Sequence, residues 1–103
     1  MSFADLARDH PDFEMLEESG GKGCCVRYVP HRFCERQDEP RVRGWIDRLN
    51  RALAREASRL GIEAVDVAGR VALYASPRAS DDVDEAFETL VRMGHQLAKK
   101  ESL

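Results

Sequence analysis

No apolar run in this chain approaches the length of a membrane span, so a spanning helix is not expected. The opening residues, Met1-Ser2-Phe3-Ala4-Asp5, lack the apolar core of a signal peptide. An excess of charge of one sign is missing as well. A net charge of −3 leaves no electrostatic ground for expecting nucleic acid as a partner. Cysteines number three, and Cys24 and Cys25 are neighbours whose mutual disulfide would be strained. A reducing, cytoplasmic setting is therefore expected. Internal repeats and low-complexity tracts are absent. Gly20-Gly21-Lys22-Gly23 has neither the spacing of a phosphate-binding loop nor a helix after it, and reads as a flexible turn.

What is present is an ordinary globular composition in 103 residues, 43% hydrophobic and 34% charged, read as one small domain over residues 1–103. A chain of this length buries ~65% of its unfolded surface. The stretch Gly69–Asp84 organises it. Val71, Leu73 and Ala75 line one face of a pleated strand, and Ala72, Tyr74 and Ser76 the other. Pro77 cannot donate to a ladder and ends the strand. Ser80 suits an N-cap, and Asp81, Asp82 and Asp84 place negative charge where a helix dipole favours it. Val83, Ala86, Phe87, Leu90, Val91, Gly94, Leu97 and Ala98 then recur at helical spacing as far as Lys99 and Lys100.

Upstream, residues 3–9 read as a short amphipathic helix that stops before Pro11. Phe13–Leu16 and Cys24–Val29 read as a strand pair forming a hairpin, with Pro30 closing the second. His31–Pro40 is polar and aperiodic, hence a loop. From Arg41, the series Val42, Trp45, Ile46, Leu49, Leu53 and Leu60 predicts the longest helix, with Gly61 as its C-cap. Glu63–Ala68 reads as a strand with Val65 and Val67 facing inward, joined by a tight connection to the organising strand. The expected fold is α+β: a four-stranded, mostly antiparallel sheet with two long helices on one face and a short N-terminal helix.

Four stretches carry a resemblance to a known family. They are His10-Pro11-Asp12-Phe13-Glu14-Met15-Leu16, Cys25-Val26-Arg27-Tyr28-Val29-Pro30, Leu49-Asn50-Arg51-Ala52-Leu53, and Ser76-Pro77-Arg78-Ala79-Ser80-Asp81-Asp82-Val83-Asp84. In their order and spacing they resemble the C-terminal small domain of the group II pyridoxal-phosphate-dependent amino-acid decarboxylases, over about residues 3–98. The resemblance implies that the Schiff-base lysine, the aspartate on the pyridine nitrogen and the phosphate-binding groups belong to a large domain preceding this region. With the sequence starting at Met1, that domain is expected on a separate chain. Several members also place, on the organising strand, an arginine that reaches the substrate carboxylate. The matching position here is Val71, and a one-residue slip to Arg70 would turn the side chain to the opposite face. Ser76 stands where asparagine is usual.

Among the residues themselves, Cys24, Cys25, His31 and Cys34 gather soft ligands within ten residues, but the spacing fits no standard finger. Buried strand thiols and a loop cysteine are the plainer reading, and no metal is expected. Cys34, flanked by Arg32 and Arg36, has no identifiable base to make it a nucleophile. His10 and His95 read as a surface residue and a helix-face residue, and Tyr28, Trp45 and Phe87 as packing. Arg70, Arg78 and Tyr74 are the candidate substrate contacts, set against solvated surface charge. No catalytic residue is assigned. Arg41, Arg43, Arg48, Arg51, Arg55 and Arg59 outnumber Asp47 and Glu56 and give the long helix a basic outer face, either solvated or a dock for an acidic partner.

Three functions remain open. The first is a covering subunit or remnant of a decarboxylase-like enzyme, binding no cofactor alone and meeting pyridoxal phosphate only with a large-domain partner chain. The second is a non-catalytic, dimeric interaction protein that kept the fold. The third is a small enzyme with a pocket of its own.

Overall fold

The computed structural model describes residues 3–18, 23–75 and 83–101. Its elements are α1 (Phe3–Asp9), β1 (Phe13–Glu18), β2 (Cys24–Tyr28), α2 (Pro40–Glu56), β3 (Ile62–Val67), β4 (Arg70–Ala75) and α3 (Val83–Lys100). Short 3₁₀ helices at His31–Arg36 and Ser58–Leu60 flank α2. All strand pairs are antiparallel, in the order β1-β2-β4-β3, so the fold is α+β as expected. The Gly20–Lys22 turn, the corner at 76–82 with Ser80, and Arg78 lie outside the described residues.

β4 sits inside the sheet and holds it together. Leu73 pairs with Val26 on one side and Ala64 on the other. Side chains alternate along a strand, so Leu73 and Ala75 fall on one face with Val26, Cys24 and Ile62. α1, α2 and α3 all pack on that face in one continuous core. α2 begins at Pro40, whose missing N–H costs nothing at a first helical position. It presses Val42, Trp45, Ile46, Leu49 and Leu53 inward. α3 comes close enough to the sheet that a Cβ on Gly94 would lie 2.9 Å from the Tyr28 ring. Asn50, fully buried on α2, accepts from the Tyr28 amide and donates to the Tyr28 and Ile46 carbonyls.

Three expectations are corrected. The helix from Val42 does not run on to a cap at Gly61: α2 ends at Glu56 with Ala57 as its C-cap, Leu60 and Gly61 belong to the 3₁₀ turn that follows, and at 17 residues α2 is shorter than α3 at 18. His31–Pro40 is not a plain loop, because residues 31–36 wind into a 3₁₀ helix. Arg36, at its end, pairs with Glu39 at 2.9 Å, and Phe33 packs edge-on against Trp45. Val65 and Val67 do not face inward. The two-residue turn Ala68-Gly69 places Val67 opposite Arg70, and the register then carries Ala64 opposite Leu73. Because Leu73 belongs to the core, the β3 residues on the helix side are Ile62, Ala64 and Asp66. Val65 and Val67 lie on the other face, half-buried. Ile62, 1% exposed, is the core residue of β3.

Candidate functional site

Among the described residues no helix covers the second face of the sheet. Alternation places Glu14, Arg27, Cys25, Arg70, Ala72, Tyr74, Val65 and Val67 there. The β2–β4 pairing ends at Val26–Leu73, and Arg27 stands next to the break. Its guanidinium donates to Asp47 Oδ1 on α2 and to the Val71 carbonyl, both at 2.7 Å. Asp47 Oδ1 also accepts from the Val71 amide. Glu14, opposite Arg27 in register, reaches Arg70 at 3.9 Å. Glu14 Oε2 and Arg27 Nε are buried with no partner, so this row of charge is incompletely satisfied.

The candidate substrate contacts divide accordingly. Arg70 and Tyr74 share the open face, and Val71 turns to the helix side. Four residues of strand separate Arg70 from Tyr74, roughly 13 Å, too far to grip one small carboxylate together. Arg70 already answers to Glu14. Tyr74 lies against Gly23, where φ is +104° and an added Cβ would meet the Tyr74 hydroxyl at 2.8 Å. Arg78 lies outside the described residues.

This face does not fit pyridoxal phosphate. The cofactor needs an enclosed lysine, and the described lysines, Lys99 and Lys100, are exposed at the end of α3 on the helix side. The cysteines are scattered: Cys24 buried, Cys25 half-buried on the open face, Cys34 exposed. Burial, then the charge of Glu17, raises the Cys25 thiol above its ordinary value. Among the described residues no three His, Cys, Asp or Glu side chains gather as metal ligands, and no helix is long and apolar enough to cross a membrane. All six arginines at 41–59 are exposed, and Asp47 is turned away from them toward Arg27.

A second place gathers chemistry that local sequence patterns do not reveal. A cleft of about 330 Å³ opens between the β2 exit and the end of α3, lined by Asp12, Tyr28, Pro30, His31, Arg32, His95, Ala98 and Lys99. Asp12 Oδ2 meets His95 Nε2 at 2.9 Å, and Oδ1 accepts from the His31 amide at 2.8 Å. The Asp12 amide donates to His10 Nδ1. Burial pulls the Asp12 carboxyl upward, yet these hydrogen bonds from His95 and His31 and the charges of His10 and His95 outweigh it and hold the group below its ordinary value. The Tyr28 phenol is pushed up by burial and by the Asp12 charge, with Arg32 opposing. Asp12 and His95 are 83 positions apart, and the helical period of α3 marks His95 only as a face residue.

No family model and no curated protein matches the chain. Solved structures do. The crystal structure of mouse CSAD, the cysteine sulfinic acid decarboxylase, superposes with a TM-score of 0.67 at 17% identity, over 89% of this chain and 21% of that one. The chain thus spans about a fifth of the length of the protein it matches. At that identity the likeness establishes the fold, and the fold is decarboxylase-like.

Proposed function

We propose that this chain is the covering lobe of a pyridoxal-phosphate decarboxylase-like enzyme. It lays its open sheet face against a separate chain that carries the cofactor. Its part is to close one wall of the substrate cleft and exclude water, and the reactive groups belong to the other chain. One observation carries this reading: all three helices lie on one side of the sheet, and the other side leaves Val65, Val67 and Tyr74 half-buried beside a buried, half-satisfied row of charge. Apolar side chains left partly open on a sheet face that no helix covers among the described residues suit a contact surface. The fold shared with one part of mouse CSAD supports the same assignment.

Reconstitution tests it. The chain is purified alone and together with a large-domain chain bearing the Schiff-base lysine, encoded beside it. A yellow complex that forms only with both chains and decarboxylates an amino acid is the expected result. Val67→Lys on the open face abolishes that complex while the lobe keeps its circular dichroism. A colourless, folded homodimer, indifferent to pyridoxal phosphate and to that chain, overturns the reading in favour of an independent interaction protein.

A further inference from the structure

The cleft beside α3 lies on the helix side of the sheet, away from the face assigned to docking, and needs its own explanation. Two of its cations have no acidic partner among the described residues: Arg32 and Lys99 take part in none of the ion pairs. Arg32 is positioned by the Phe33 ring, 5.0 Å from its centroid, and not by a carboxylate. Asp12, the one acid of the lining, is occupied by His95 and the His31 amide. Tyr28 is 1% exposed as a whole residue, and its hydroxyl, which makes no hydrogen bond among the described residues, opens at the cleft wall. A phenol placed there is free to donate to whatever enters the cleft. Pro30, Ala98 and the Tyr28 ring make the remaining lining largely apolar.

We propose that this cleft binds a small organic phosphate monoester. Arg32 and Lys99 would take the phosphate, with the Tyr28 hydroxyl donating to it, while the apolar wall covers a small organic body. Charge chooses phosphate over carboxylate, because a monoester carries close to two negative charges near neutral pH and matches two free cations. A volume of about 330 Å³ lies at the small end of ligand cavities.

Phenyl phosphate, inorganic phosphate and benzoate are the probes, titrated into the intact chain and followed by calorimetry and by the amide resonances of His31, His95 and Lys99. Saturable shifts with phenyl phosphate, tighter than with inorganic phosphate and absent with benzoate, are expected. Arg32→Ala and Lys99→Ala, both at exposed positions, each weaken binding by about tenfold. Tyr28→Phe weakens it several-fold with the fold intact, and Arg55→Ala, on the basic face of α2, changes nothing. No saturable shift with phenyl phosphate overturns the proposal. So does equal binding of benzoate, or an Arg55→Ala loss equal to that of Arg32→Ala, which marks diffuse attraction. Because no partner chain takes part, the outcome is independent of the docking reading.

Discussion

Arg27 and Asp47 meet at 2.7 Å with the arginine side chain 1% exposed and the aspartate 19% exposed, joining β2 to α2 at the point where the sheet pairing lapses. The same carboxylate oxygen takes the Val71 amide, so one acid satisfies a buried cation and a strand N–H at once. Asp47→Ala leaves the Val71 amide without this acceptor and the buried guanidinium without its counter-charge, with the Val71 carbonyl still accepting from it. The expected loss is about 3–5 kcal/mol, read from urea denaturation. Arg27→Met, which removes the charge and keeps the volume, is expected to cost less, and the double variant less than the sum of the singles.

Asn50 closes the other join between α2 and β2. Its carboxamide takes both backbone groups of Tyr28, neither of which has water to turn to. Asn50→Leu, which keeps the branching and heavy-atom count, strands that amide and that carbonyl together. A loss of roughly 2–5 kcal/mol is expected. Asn50→Ala should lose at least as much, and equal stability of Asn50→Leu and the parent would show that the hydrogen bonds contribute nothing net.

The β3–β4 turn carries a local conflict. Ala68 has φ 54° and Gly69 φ 80°, the left-handed pair of a two-residue hairpin, where asparagine is the usual first residue. An alanine there costs about 1 kcal/mol. Hydrogen bonds from the Gly69 amide to Asp66 and from Arg43 to the Gly69 carbonyl hold the turn nonetheless. Ala68→Asn should raise stability by roughly 0.5–1 kcal/mol, seen as a higher melting temperature.

Much of the architecture is legible from the chain because it is written in period and punctuation. The stripe from Val42 to Leu53 and the run from Val83 to Lys100 each mark one helix, while the apolar spacing that reaches Leu60 hides the break after Glu56, and Pro40, which reads as the end of a loop, is the first residue of α2. The parity of β3 is not written that way. Glu63–Val67 alternates well with its valines inward, and only the pairing with β4 decides that Ile62 holds the core position instead. The cleft is harder still. Asp12, His31 and His95 each look ordinary in their own segments, and three separate elements must pack before they meet. Tyr28 was legible as packing, which it is, but its lone hydroxyl is a property of the assembled site.

Acid should separate the parent from Asp12→Asn. The Asp12 carboxyl is held below its ordinary value of 3.8 in the folded chain, so its stabilising contribution is present above that value and fades as pH falls through the depressed one. Asn still offers an oxygen to the His31 amide. The gap in unfolding free energy between the two proteins is therefore expected at pH 5–7 and should narrow below about pH 4. A gap that stays constant down to pH 2 would exclude the linkage.

The two borders of the sheet are unequal. β1 skips Leu16 between Met15 and Glu17, a bulge that twists that border away from straight pairing, whereas β3 pairs with β4 through six unbroken steps and presents a regular outer rim. Any strand recruited from another polypeptide, wanted or unwanted, would add at β3. Glu63 and Asp66 stand exposed on that strand, and charge so placed opposes edge-to-edge pairing between copies of the chain.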